Sequence, residues 1–157
     1  DVVKLVLASR GEIVNKLVRM KPARPLAFGT FKAADDRIIP HLGLPGNPVA
    51  VVVAFEAFAR PAILAMQGKK IFDKPTVQAV MDDAVRNSDN RRVYARVLVY
   101  RGEGGEYRAK LSGSQGSGVL TAVAAANGMA ICPEDVSGLA LGDIATVQMF
   151  DWPEILF

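Results

Sequence analysis

One loop of the sequence combines residue types that could bind an anion. Residues 44–49 read Leu-Pro-Gly-Asn-Pro-Val and follow an apolar stretch that predicts a strand. Asn47 is a favourable N-cap, and Pro48 suits the first position of a helix. Such a helix presents N–H groups to an anion, and Gly46 would allow a backbone conformation that other residues resist. A plain strand-to-helix turn explains the same residues, and the loop lacks the glycine spacing and the lysine of a nucleotide-binding P-loop.

A second candidate site is a cluster of cations. Lys16, Arg19, Lys21 and Arg24 fall within nine residues. Strand alternation would place Arg19 and Lys21 on one face, where together they could hold a multiply charged anion. An exposed strand edge with solvated cations is the alternative, because edge lysines also discourage aggregation.

Residues 113–118 (Gly-Ser-Gln-Gly-Ser-Gly) form a third candidate. Small residues with hydroxyl groups let the backbone approach a ligand, although a simple loop would have the same composition. The segment does not fit the nucleophile elbow of serine hydrolases, which needs a central serine and a histidine partner. His41 is the only histidine, and its place on a predicted strand favours a core or rim position over a catalytic base.

Two further positions could carry charge chemistry. Asp1 is a favourable N-cap that could also bind a metal or orient an oxyanion. Arg91, Arg92 and Arg96 could form a positive patch, or they could be solvated surface residues.

Composition limits the classes of protein that remain. The chain has 157 residues, of which 50% are apolar and 22% charged, so it can bury a core. One cysteine and one histidine exclude an internal disulfide and nearly exclude the usual zinc site. The longest apolar run, residues 49–55, is too short to cross a bilayer. Residues 1–72 carry a net charge of +6 and residues 73–157 one of −3, so an anionic ligand is expected in the first half.

The elements that must position these residues fall into two groups. In the first half we predict a helix over residues 2–7, strands over 12–20, 25–31 and 38–44, and a buried helix over 48–67. Pro61 should kink this last helix or end its first part. This order is typical of an α/β layer. An α/β layer rarely begins with a helix, so the chain is expected to be truncated at its N-terminus.

The second half has a different pattern. After a linker at residues 70–74, we predict strands over 76–86, 91–101, 106–111, 129–133 and 145–150. A single helical stretch, 118–126, interrupts them. Short strands at regular spacing indicate a small barrel or sandwich. The predicted fold class is therefore α/β followed by a small all-β barrel.

These segments together resemble one known family. Residues 20–29 (MKPARPLAFG), 43–50 (GLPGNPVA) and 113–118, with 126–128 (ANG) and 133–134 (PE), resemble the MoeA and gephyrin E-domain family in order and spacing. The resemblance covers essentially the whole chain. It implies that residues 1–72 are the C-terminal half of a molybdopterin-binding, MogA-like α/β domain, and that residues 73–157 are a C-terminal β-barrel domain.

The resemblance also implies a function. The family consists of molybdopterin molybdotransferases, which insert molybdenum from molybdate into adenylylated molybdopterin and release AMP. It implies magnesium as a cofactor, a homodimer in the full-length protein, a cytoplasmic location, and neither nucleic acid nor membrane as a partner. The family's glycine-rich phosphate motif should precede Asp1, so this chain is expected to be an incomplete and inactive part of the enzyme. The alternative is a non-catalytic dimerisation and peptide-binding module of the gephyrin E type. A stand-alone adenylyltransferase is disfavoured because a barrel follows.

Site residues follow from the same resemblance, position by position. Asp1 and Lys21 match catalytic positions, with Asp1 also the metal ligand. The positions that match substrate-binding residues are Pro45, Gly46, Asn47, Pro48, Arg96 and Ser117. Two positions depart from the family pattern: Ala23 stands in place of glycine, and Leu17 stands in place of a basic residue.

Overall fold

The computed structural model describes residues 9, 11–116 and 118–152. Its strands are β1 (Gly11–Leu17), β2 (Met20–Lys21), β3 (Pro25–Lys32), β4 (Ile38–Gly43), β5 (Thr76–Met81), β6 (Val85–Arg86), β7 (Arg92–Arg101), β8 (Tyr107–Leu111), β9 (Gly128–Cys132), β10 (Gly138–Leu139) and β11 (Ile144–Met149). Its helices are α1 (Pro48–Ala54), a π-helical turn (Phe55–Ala59), α2 (Arg60–Met66) and α3 (Leu120–Ala124). The helix predicted over residues 2–7 lies outside the described residues.

Five strands of the second half close into a barrel. Their order is β7-β8-β5-β11-β9, and pairing of β9 with β7 completes the ring. Alternate residues of β7, from Val93 to Val99, point into the core, where Met81, Val97 and Val147 are fully buried. The predicted barrel is confirmed. The single strand predicted over residues 76–86 is two strands, β5 and β6, separated by residues 82–84. The pattern missed the two-residue strand β10, which is too short to show periodicity.

The first half does not form the predicted α/β layer within the described residues. Strands β1, β3 and β4 make a three-stranded antiparallel sheet instead. The strand predicted over residues 12–20 ends at Leu17, and Met20–Lys21 forms β2, which pairs in parallel with β7 of the barrel. The expectation that residues 38–44 form a buried strand is wrong, because the first three residues of β4 are exposed, Ile38 at 64%, and the other three are only half-buried.

The helix that follows the sheet begins at Pro48, as predicted. The Arg60 N–H donates to the Phe55 carbonyl, which gives a π turn just before Pro61, a residue without an N–H of its own. Within the 48–66 helix only α1 has buried residues, so the expectation of a buried helix holds for its first part alone. By length and composition the 48–66 helix could cross a membrane, in contrast to the short run considered above. A single such helix is weak evidence, and its first part packs against the barrel.

The two halves meet in one apolar cluster. Met20, Ala23 and Leu26 pack there against α1 and against Met129 of the barrel. The cluster holds the connection between β2 and β3 against the start of β7, where the Arg92 N–H donates to the Arg19 carbonyl at 2.9 Å. This connection is what positions the candidate site.

Candidate cationic cavity between the two halves

A cavity of about 690 Å³ opens between the β2–β3 connection and the barrel. Among the described residues, its lining has no carboxylate and includes five cationic residues from both halves: Lys21, Arg24, Arg86, Arg91 and Arg96. Such a lining gives a positive potential that favours an anionic ligand. The charge count favoured the first half for this role, but the cavity draws on both.

Lys21 enters this cavity from β2. The residue pairs with Val93 of the barrel, and the peptide bond that follows it, Lys21-Pro22, is cis. The chain turns back on itself between residues 18 and 24, where the Arg24 carbonyl accepts the Val18 N–H at 2.8 Å. The predicted pairing of Arg19 with Lys21 on one face is wrong, since Arg19 turns to the Asn90 carbonyl, 3.0 Å away, outside the cavity. The strand breaks between β1 and β2, so simple alternation does not apply.

Arg96 is the most deeply buried charge of the cavity. It is 2% exposed, and its Nη2 donates to the carbonyls of Ser114 (3.2 Å) and Gly116 (3.3 Å). Its Nε has no hydrogen-bond partner among the described residues. Burial lowers the pKa of the Arg96 guanidinium from its ordinary value. A buried donor without a partner is costly, and an anion in the cavity would relieve that cost.

The other two arginines predicted to form a positive patch, Arg91 and Arg92, lie in different places. Arg91 lines the cavity and also pairs with Asp89. Arg92 turns away and pairs with Glu134 at 3.0 Å. Arg86 was missed by the sequence reasoning, because a single arginine on a two-residue strand carries no distinguishing pattern.

The loop at residues 44–49 contributes less than its motif suggested. Asn47 lines the cavity and caps α1, since its Oδ1 accepts from the N–H groups of Val49 (3.1 Å) and Ala50 (3.3 Å). Pro45, Gly46 and Pro48 are not among the lining residues. The cap uses two of the N–H groups that would have faced an anion. Gly46 has neither a left-handed φ nor a close neighbour, so the special conformation expected of it is absent.

Ala23, one of the two departures from the family pattern, lies where the backbone conformation restricts the type of residue. Ala23 has a φ of 75° and is 4% exposed at the edge of the cavity. A left-handed φ is readily adopted by glycine and costs alanine free energy. The residue type that the resemblance led us to expect is therefore the one that this backbone favours. The other departure, Leu17, is 68% exposed and outside the cavity.

Two predicted site residues, Asp1 and Ser117, lie outside the described residues. Within the described part of the chain, no group of three or more His, Cys, Asp or Glu side chains could hold a metal. The described lining of the cavity does not fit magnesium, which prefers carboxylate oxygens. His41 lies on β4, with its ring 5.1 Å from that of Phe31, and does not line the cavity.

Comparison with known proteins agrees with the barrel. Residues 78–150 match the family model of the MoeA C-terminal region (domain IV). Over 152 residues the chain is 28% identical to the molybdopterin molybdenumtransferase of Haemophilus influenzae, covering 96% of this chain and 36% of the relative. The corresponding protein of a Nostoc species is 32% identical over 152 residues, covering 95% of this chain and 34% of the relative. The chain thus spans about a third of the length of these relatives.

A solved structure is similar in fold as well. The molybdopterin biosynthesis MoeA protein of Pyrococcus horikoshii superposes with a TM-score of 0.70 at 26% identity, covering 95% of this chain and 34% of that one. The gephyrin of Dictyostelium discoideum is also similar, at 27% identity over 162 residues, with 92% of this chain and 23% of the relative covered.

Proposed function

Because this chain belongs to the MoeA family through its C-terminal barrel, we propose that its cationic cavity binds the molybdate from which a molybdopterin molybdenumtransferase inserts molybdenum into adenylylated molybdopterin. A role in molybdenum cofactor biosynthesis follows from the relatives. The insertion step, with release of AMP, belongs to the proposal. So do the homodimer, the cytoplasmic location and the expectation that this part of the enzyme is inactive alone.

The observation that carries the proposal is buried Arg96, whose Nε has no hydrogen-bond partner among the described residues, in a cavity whose described lining has no carboxylate. Molybdate carries two negative charges on oxygen atoms that accept hydrogen bonds. A guanidinium can orient such an anion, because its N–H donors are fixed in one plane. An ammonium group on the same cavity acts as a point charge that neutralises the anion without fixing its orientation. Lys21 and Arg96 supply this pair.

The chemistry asks the protein for positioning rather than for a nucleophile. Molybdate must be held against the sulfur atoms of the pterin dithiolene, and negative charge must be neutralised as AMP leaves. In this proposal Arg96 orients the oxyanion and Lys21 balances its charge. Asn47 keeps the wall of the cavity in place by capping α1. A metal role for Asp1 remains a prediction.

Molybdate binding by the 157-residue chain tests the proposal. We expect Lys21→Ala to weaken molybdate binding about tenfold or more in isothermal titration calorimetry, because it removes a charge from the cavity. Lys32→Ala is the matched control, since Lys32 loses the same charge from an exposed position. Equal affinities for the native chain and Lys21→Ala would contradict the role of Lys21, and no molybdate binding by the native chain would overturn the cavity as an oxyanion site. In the full-length enzyme, Lys21→Ala should also abolish molybdate-dependent AMP release.

A second candidate function is a non-catalytic dimerisation and peptide-binding module. The exposed apolar side chains of the first half favour it, among them Ile38, Ile63 and Met66. Under this hypothesis the chain would sediment as a dimer that Ile38→Lys dissociates, and it would show no affinity for molybdate. A monomer that binds molybdate would exclude it.

A further inference from the structure

Strand β7 is held at two places by side-chain amides that replace a neighbouring strand. At Arg96 the replacement is Gln115, whose Oε1 accepts the Arg96 N–H at 2.9 Å and whose Nε2 donates to the Arg96 carbonyl at 3.1 Å. At Val99 the replacement is Asn127, whose Oδ1 accepts the Val99 N–H at 2.7 Å and whose Nδ2 donates to the Val99 carbonyl at 2.9 Å. Both amides therefore copy the paired hydrogen bonds of an antiparallel ladder.

The two amides lie on opposite edges of β7. N–H and C=O groups alternate between the edges of a strand, so those of Arg96 face β8 and those of Val99 face β9. Strand β8 ends at Leu111, opposite Val97, and Gln115 continues its ladder by one position. Strand β9 begins at Gly128, also opposite Val97, and Asn127 extends its ladder outward. Only the Gln115 amide acts at a residue of the cationic cavity.

Gln115 also fixes the loop that orients the Arg96 side chain. Its Nε2 donates to the Gly113 carbonyl at 2.9 Å, which folds residues 113–116 over Arg96. The carbonyls of Ser114 and Gly116 then both accept from the Arg96 Nη2. One amide thus constrains the backbone of Arg96 directly and its guanidinium through this loop.

We propose that Gln115 is the residue that positions Arg96 at the wall of the cavity, where its guanidinium would receive an oxyanion. The inference rests on the proposed function for the identity of the anion, but the positioning of Arg96 can be measured without any ligand. Without the amide, the Arg96 N–H loses its acceptor, whereas the Arg96 carbonyl keeps the hydrogen bonds that the Ser112 N–H and hydroxyl donate. The loop that carries the carbonyls of residues 114 and 116 also loses the hydrogen bond from Gln115 that constrains it. The guanidinium would then sample several orientations.

The test compares Gln115→Met with Asn127→Leu in the 157-residue chain. Each variant removes one amide that pairs with a single residue of β7, so both should lower the melting temperature measured by circular dichroism. We expect only Gln115→Met to weaken binding of inorganic molybdate, by about tenfold, as is typical when a residue that orients a ligand-binding group is lost. We also expect only Gln115→Met to broaden or shift the Arg96 Nε–H signal in ¹H–¹⁵N spectra recorded without molybdate.

The outcomes separate the two proposals. An Arg96 Nε–H signal that is unchanged in Gln115→Met, or changed equally in Asn127→Leu, overturns the positioning role. Molybdate binding that falls equally in both variants does the same. Failure of the native chain to bind molybdate overturns the proposed function, while the ligand-free spectra still decide the role of Gln115. If Gln115→Met does not fold, Gln115→Asn keeps the amide but shortens its reach, and the same spectral change is expected.

Discussion

The barrel and the preceding segment of residues 11–72 differ in how far they bury their apolar side chains. The barrel closes its sheet into a ring, so it has one buried face and few free edges. The segment opens a three-stranded sheet and a helix to solvent, with Leu17, Ile38 and Met66 each more than 60% exposed. Where a sheet closes, its own strands bury its core, and where it stays open, another surface must do so.

The exception within the segment is the part that touches the barrel. Met20, Ala23, Leu26 and the first helix are buried because Met129 and Tyr94 of the barrel cover them. The cationic cavity lies along the same seam. The barrel therefore fixes the position of Lys21, which pairs with Val93 of β7.

Two methionines, one from each region, offer the largest test of this contrast. Met81→Ala should lower the free energy of unfolding by about 2–5 kcal/mol, because Met81 is fully buried in the barrel core. Met66→Ala should change it by no more than about 0.5 kcal/mol, since Met66 is 64% exposed. Urea titration of both variants measures the difference. Similar losses would mean that the segment is packed as tightly as the barrel.

Two ion pairs extend the contrast to charge. In the barrel, hydrogen bonds from Arg108 and Tyr100 lower the pKa of the Asp82 carboxyl. A lowered pKa in the folded state gives stability that is present above the ordinary aspartate pKa of about 3.9 and is lost as the pH falls through the lowered value. We therefore expect Asp82→Asn to be less stable than the native chain at pH 7, by less than Met81→Ala, with the gap closing below about pH 4.

The control for that pair is Asp35→Asn in the turn before β4. Asp35 pairs with Arg37 at 2.6 Å, but both side chains are more than half exposed. Solvent-exposed pairs contribute little to stability. Thermal melts between pH 3 and pH 7 should therefore show a pH-dependent gap for Asp82→Asn and almost none for Asp35→Asn. The same gap for both would show that the barrel gives its charges no special environment.

The smallest effect is expected at the seam itself. Ala23→Gly removes the free-energy penalty of a left-handed alanine, roughly 1–2 kcal/mol, which should stabilise the chain. The substitution also removes a buried methyl group and raises the conformational entropy of the unfolded chain, and both changes destabilise the folded state. These terms oppose each other, so the free energy of unfolding should change by less than about 1 kcal/mol. Ala27→Gly has no such relief, because Ala27 lies in β3 without a left-handed φ, and it should be clearly destabilising. A loss at Ala23 as large as that at Ala27 would contradict the conformational argument.

Much of the barrel and some of the site could be predicted from the sequence. Strands β7, β8, β9 and β11 follow their apolar alternation, and the Asn47 cap and the Pro61 irregularity follow from local chemistry. The predicted α/β layer does not form among the described residues, and the sequence could not show this because strand order in a sheet is not a local property. Arg19 was grouped with Lys21 because the sequence does not show the break between β1 and β2, and Arg86 was missed because a two-residue strand has no pattern.

The sequence by itself determined where most elements begin and end, and which family its motifs resemble. Those properties depend on residues a few positions apart, whose periodicity and capping can be read along the chain. Only the tertiary structure decided that Lys21 and Arg96 face one cavity, that Ala23 takes a left-handed φ, and that Gln115 pairs with Arg96. These features depend on which distant strands pair, as β2 does with β7, and on the closure of the barrel that brings the 113–116 loop back over β7.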